Sequence, residues 1–103
     1  MTDSSRADGD EPSVEVRDRP EVGRYEATVD GAVAGVAHYR SGDGTITFTH
    51  TVVDPAFRGA GVGSQLARFA LDDARRRGLR VRPHCPFIRA YMESHPEYRD
   101  LVT

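Results

Sequence analysis

The stretch that decides the reading is Arg58-Gly59-Ala60-Gly61-Val62-Gly63-Ser64, with the strand-like Thr45–Val53 before it and a helical pattern after it. Three glycines within five positions let a backbone approach a ligand closely, because no Cβ intervenes. A helix starting here presents unpaired N–H groups and the positive end of its macrodipole. Glycines and helix start together make a cradle for a pyrophosphate. A bland alternative is a glycine-rich turn that caps a core helix.

The flanking sequence narrows the choice. Upstream, Val14–Arg17 and Arg24–Val29 alternate as strands do, and Asp30-Gly31 is a type I′ hairpin signal leading into a return strand over 32–40. Ser41-Gly42-Asp43-Gly44 is a second turn. In Thr45–Val53, alternation puts Ile46, Phe48, His50 and Val52 on one side and the four threonines on the other. Downstream the period changes. Val62, Leu66, Phe69, Ala70 and Ala74 fall at helical spacing up to Arg77, and Gly78 suits the end of that helix. Asp72/Arg76 and Asp73/Arg77 are spaced as exposed helical pairs. Leu79–Pro83 is short and extended, and a second helix spans Pro86–Ser94 with Cys85 as its N-cap; Pro96 ends it. Tyr98 and Leu101 are expected to anchor the C-terminus by packing. The expected class is α/β (α+β): a mixed, mostly antiparallel sheet with two helices.

A phosphate loop of the Gly-Lys-Ser/Thr kind is excluded, because the chain contains no lysine. A dinucleotide fold requires a parallel βαβ unit and a later acidic residue; here the preceding strands read as antiparallel hairpins, and the segment after the helix offers only Arg80, Arg82, His84 and Cys85. What remains is Arg/Gln-x-x-Gly-x-Gly/Ala, met by Arg58, Gly61 and Gly63. This resembles the acetyl-CoA loop of GNAT acetyltransferases. Phe48-Thr49-His50-Thr51, Pro83-His84-Cys85-Pro86-Phe87, Tyr91 and His95-Pro96-Glu97-Tyr98 are similar to the minimal YjdJ-type branch of that family. The resemblance runs from about Arg24 to Val102. It implies a GNAT fold without the usual N-terminal helices, filling residues 14–103, with acetyl-CoA as cofactor. It also implies cofactor contacts from Val52 and Val53 through Arg58, Gly59, Ala60, Gly61, Val62, Gly63 and Ser64. Val53 stands where such sequences often carry an acid, and His84-Cys85 where many GNAT proteins carry Asn.

The candidate catalytic groups are Cys85, His50 and Tyr91. Cys85 is the only thiol, and a helix N-terminus favours the thiolate form; Arg82 and His84 are close in sequence. The competing reading is an inert buried cysteine. His50 is either a proton acceptor or a core histidine on the Ile46/Phe48 side. A tyrosine near Tyr91 is taken in GNAT proteins to protonate the departing thiolate; a packing role is the alternative. Two chemistries are open: direct attack of an amine on the thioester, assisted by positioning, an N–H donor and a base, or transfer through an acetylated Cys85.

Composition bounds the rest. The net charge is −2, and all fourteen basic residues are arginine. Nucleic acid is not expected as a partner, and no stacking motif suggests it. One cysteine and scattered histidines give no metal spacing, so no metal site is expected. No apolar run suits a membrane span or a signal segment, so a cytoplasmic protein is expected. A monomer is expected as well, and the resemblance implies a small-molecule or peptide amine as acceptor. Residues 1–13, with Asp3, Asp8, Asp10 and Glu11 and no aromatic residue, read as a disordered acidic tail.

Overall fold

The structure, a computed structural model, describes residues 14–103. The tail expected over residues 1–13 lies outside them. Strands β1 (Val14–Arg19), β2 (Arg24–Val29), β3 (Ala32–Gly42) and β4 (Thr45–Val53) form an antiparallel meander. Helix α1 (Val62–Arg76) follows, then β5 (Arg80–Pro83), which pairs with β4 in parallel, and helix α2 (Pro86–Ser94). The strand order is the chain order. A 3-10 turn over Pro96–Leu101 leads to Val102, which bridges to Val81. The mixed, mostly antiparallel sheet with two α-helices is the class the sequence pattern predicts.

The β2–β3 and β3–β4 hairpins are two-residue turns with both central residues at positive φ: Asp30 and Gly31 at 51° and 82°, Asp43 and Gly44 at 55° and 74°. That is the type I′ geometry whose twist matches paired strands. The second turn is tighter than expected, because β3 continues through Ser41 and Gly42.

One face of the sheet carries both helices. Tyr25, Ala27, Ile46 and Phe48 from the strands meet Leu66, Ala70 and Leu71 of α1 and Ile88 of α2 in one core. Tyr25 is central, with ring centroids 5.2 Å from Tyr39 and 5.9 Å from Phe69. A buried tyrosine needs a hydrogen-bond acceptor for its hydroxyl. Tyr25 donates to Asp73 at 2.7 Å, Tyr39 to Asp18 at 2.6 Å and Tyr98 to Asp72 at 2.7 Å. Burial, first, pushes the Tyr25 and Tyr39 hydroxyls up to about 12, so they remain donors at any ordinary pH.

Of the two expected helical acid–base pairs, Asp73–Arg77 forms at 3.1 Å and Asp72–Arg76 does not. Asp73 is buried, not exposed, and it gathers Tyr25, Arg76 and Arg77. Arg76 therefore pairs with the acid three residues back rather than with Asp72, which the Tyr98 hydroxyl occupies. A carboxylate removed from water is tolerable only with such partners.

The N-terminal end of α1 docks on β3 at Gly35. A Cβ there would lie 2.9 Å from Val62 Cγ1, 3.1 Å from the Val52 carbonyl oxygen and 3.2 Å from Leu66 Cδ1. Gly35→Ala is expected to cost about 1–3 kcal/mol by overpacking this contact, read as a lowered urea midpoint at unchanged slope.

Candidate functional site

The pairing of β4 holds an irregularity that simple alternation does not anticipate. His50 pairs with His38 and Phe48 with Tyr39, so Thr49 is an extra residue without a partner in β3. Such a bulge reverses the side-chain sequence beyond it. Ile46 and Phe48 point into the core, but His50 and Val52 are exposed on the other face. Thr51 takes the core-side position beside Ala37, which is fully buried. The expectation that His50 shares the Ile46/Phe48 side is thus corrected. His50 stacks on His38, centroids 4.3 Å apart, on the uncovered face, and its Nδ1 lies 3.2 Å from Thr49 Oγ1.

Beyond Phe48 and Pro83 the parallel pairing of β4 with β5 ends. Among the described residues, Thr49–Val53 then runs on with no strand on that side, while the chain turns through His84 into α2. The end of β4 and the start of α2 thus form the two arms of a fork, here termed the slit. Cys85 stands at its base. Its N–H donates to the Phe48 carbonyl at 2.9 Å, and its Sγ lies 3.3 Å from Thr51 Oγ1. It is the N-cap of α2, with Pro86 at the first helical position. Cys85 is 1% exposed, so its thiol is buried. Arg82 flanks the fully buried Val81 and faces the open side of the sheet, so it does not attend the thiol.

The glycine loop forms the neighbouring wall. Asp54 caps a short turn over Pro55–Phe57, its Oδ1 accepting from Ala56 N at 2.8 Å. Gly59 and Gly61 follow at φ +87° and +77°, with open space where a Cβ would stand. Gly61 is the N-cap of α1, so the first-turn amides of Val62, Gly63 and Ser64 face outward with the helix dipole behind them. A cleft of about 490 Å³ is lined by Val53, Phe57, Arg58, Gly59, Gly61, Val62, Gly63, Ser64 and Phe87. Arg58 is its one charged side chain among the described residues. Amides, glycines and one guanidinium fit a pyrophosphate; the apolar Val53, Phe57 and Phe87 fit the less polar remainder of a nucleotide-bearing ligand.

Gly63 has a different reason to be glycine from its neighbours. Its φ is ordinary, but a Cβ would meet the Phe87 ring at 2.8 Å. Phe87 is 41% exposed and forms a lip over the helix start. Neither Phe87 nor Thr51 was legible as a site residue. Phe87 declares itself only through contact with Gly63, and Thr51 only through the bulge.

Tyr91 is not among the residues that line the cleft. Its ring stacks on His95, centroids 3.9 Å apart, and lies 6.1 Å from the Tyr98 ring. Burial raises its hydroxyl above the ordinary tyrosine value. Among the described residues no three of His, Cys, Asp and Glu come together as metal ligands do.

Two measurements test this geometry. Gly63→Ala should cost about 1–3 kcal/mol in the wild-type background and clearly less beside Phe87→Leu, because the clash is with that ring. Gly59→Ala, strained by its φ, should cost about 1–2 kcal/mol in both backgrounds. Separately, burial first, then His50 and Arg24, holds the His38 imidazole below its ordinary value. The unfolded chain then binds the proton more readily. The stability contributed by neutral His38 is present above about pH 6.5 and is lost as pH falls toward the folded-state value. His38→Gln should therefore flatten the decline of Tm between pH 7.5 and 5.5, measured by thermal melts.

Comparison with known proteins agrees with the geometry. The solution structure of a GCN5-like protein from Staphylococcus aureus superposes with a TM-score of 0.66 over 86% of this chain and 87% of that one, at 23% identity, which shows a shared fold. No curated protein matches the chain. Residues 24–101, from the start of β2 to the last turn, match the family model of the GCN5-related N-acetyltransferases, and the chain belongs to that family.

Proposed function

We propose that the protein is an acetyl-CoA-dependent N-acetyltransferase that moves an acetyl group to an amine, acting in the cytoplasm. The observation that carries this reading is the cleft in which outward amides of α1, two positive-φ glycines and Arg58 meet an apolar lip beside a slit. When bound, acetyl-CoA supplies an activated acetyl thioester. The Gly59–Ser64 segment, with Ala60 and Val62 in its backbone path, would hold the pyrophosphate through N–H groups. Val52 and Val53 pair with β3 on one side and lie past the end of the β5 pairing on the other, the side whose backbone groups suit an amide-bearing arm. That arm would lead into the slit toward Cys85.

Cys85 and the Thr51 hydroxyl form the polar pair at the slit's base. A buried thiol with a hydroxyl and, among the described residues, no imidazole or carboxylate hydrogen-bonded to it lacks the paired base of an activated nucleophile. We therefore favour direct attack by the amine, with Cys85 and Thr51 shaping the space around the acetyl group. His50, exposed on the opposite mouth of the slit, is the proton acceptor nearest to an amine arriving from that side. Tyr91, stacked on His95 outside the cleft, serves packing in this scheme. A second reading is an acyl-CoA sensor, in which the same cleft binds the cofactor without turnover.

Millimolar CoA should raise Tm by several degrees through mass action on the native state, with NAD and ATP giving smaller shifts. A folded Gly61→Val protein should lose that shift, since the residue needs φ +77° in the cradle. Equal stabilisation by all three ligands would remove the acetyl-CoA assignment. CoA release with a panel of amines separates the enzyme from the sensor.

A further inference from the structure

The sheet face without helices is sorted by charge. Alternation against the core residues puts Arg17 and Arg19 of β1, Arg24 of β2, Arg40 of β3 and Arg80 and Arg82 of β5 on this face. Among the described residues only Glu15 and Glu26 oppose them along the strands, in a chain whose net charge is −2. Glu26 is already engaged by Arg19 and Arg24 at 3.2 and 2.7 Å, and Arg80 donates to the Val102 carbonyl at 2.7 Å. Among the described residues no carboxylate pairs with Arg40 or Arg82.

Those two arginines converge. Arg40 pairs with Thr47, and Thr47 pairs with Arg82, so the three stand in one row across β3, β4 and β5. Two strand spacings separate the arginine backbones by about 10 Å. The row borders a depression of about 160 Å³ that also includes Thr45 and, on its turn side, Asp43. One position further along, at Phe48 and Pro83, the strands part and the slit begins. The row therefore flanks the open-face mouth of the slit, on the same face as His50.

We propose that the Arg40–Thr47–Arg82 row recognises carboxylates of the acetyl acceptor, which is an acidic peptide whose amine enters the slit beside it. The inference rests on the acetyltransferase reading for the word acceptor, and on the sheet geometry alone for the anion site. Guanidinium groups bind carboxylates in bidentate fashion, and the Thr47 hydroxyl adds a donor between them. A carboxylate one to three residues from the amine lies about 3–10 Å from it, the scale of the distance from the row to the fork. A long polyanion fits less well. Glu15 and Glu26 interrupt the far half of the face, and the rest of the molecule is acidic.

The test uses three peptides of equal length with one amine followed by Asp-Asp, Ser-Ser or Arg-Arg. The acidic peptide should show about tenfold higher kcat/KM than the neutral one at low salt. Added salt should erode the preference. Arg40→Gln with Arg82→Gln should abolish the preference and leave the CoA-induced Tm shift intact. An amine-blocked Asp-Asp peptide, followed by NMR, should perturb the Arg40, Thr47 and Arg82 amides whether or not turnover occurs. Binding there without turnover with any peptide would sustain the anion site and overturn the transferase reading instead. The proposal fails if the three peptides react alike, or if the preference survives the double substitution. It also fails if the blocked peptide perturbs nothing, or if a single-stranded oligonucleotide binds the row more tightly than the peptide does.

Discussion

The extra residue at Thr49 settles which side chains β4 sends to each face, and the site depends on that choice. With regular alternation, His50 and Val52 would enter the core and Thr51 would leave it. The bulge puts the Thr51 hydroxyl against the Cys85 sulfur instead and leaves an imidazole outside. It falls where β5 stops following β4. Reversal of side-chain direction and loss of a neighbouring strand coincide, so the slit has a polar base and an open mouth. Neither would suffice alone: a fork without the bulge would be lined by Val52, and a bulge without the fork would be closed by β5.

The glycine loop divides its duties residue by residue. Gly59 and Gly61 provide backbone conformations that L side chains rarely adopt, whereas Gly63 provides room for a neighbouring ring. The loop thus connects a phosphate-sized opening on one side to the aromatic lip of α2 on the other. Docking of α1 on Gly35 fixes the height of that opening above the sheet. The cradle is built from three parts of the chain that are distant in sequence, although the motif looks local.

Local signals in the sequence were sufficient for the hairpins, for α1 and α2 and for the glycine loop, because turns, caps and helical periods are local properties. Asp30-Gly31 and Asp43-Gly44 take the φ values their residue types favour, and Cys85 with Pro86 starts α2 as expected. The bulge was not legible, since it is defined by a partner strand and Thr49 looks like any other residue of an alternating run. Asp73 was misread for a related reason. Its spacing to Arg77 is that of an exposed pair, and only the Tyr25 hydroxyl across the core explains a buried carboxylate there. Phe87 was hidden because its role lies in what Gly63 lacks.

A sheet that, among the described residues, carries helices on one side only gives its two surfaces unequal freedom to change. Positions such as Tyr25, Ile46 and Leu66 are held by close packing, where a single added or lost methylene is felt. Positions such as Arg40, Thr47 and Arg82 touch no helix, and their backbones are secured by strand pairing that is indifferent to side-chain identity. The open face is therefore a panel that can be rewritten, in evolution or by design, without disturbing the cradle behind it. A change of partner would require a handful of surface substitutions and no new fold.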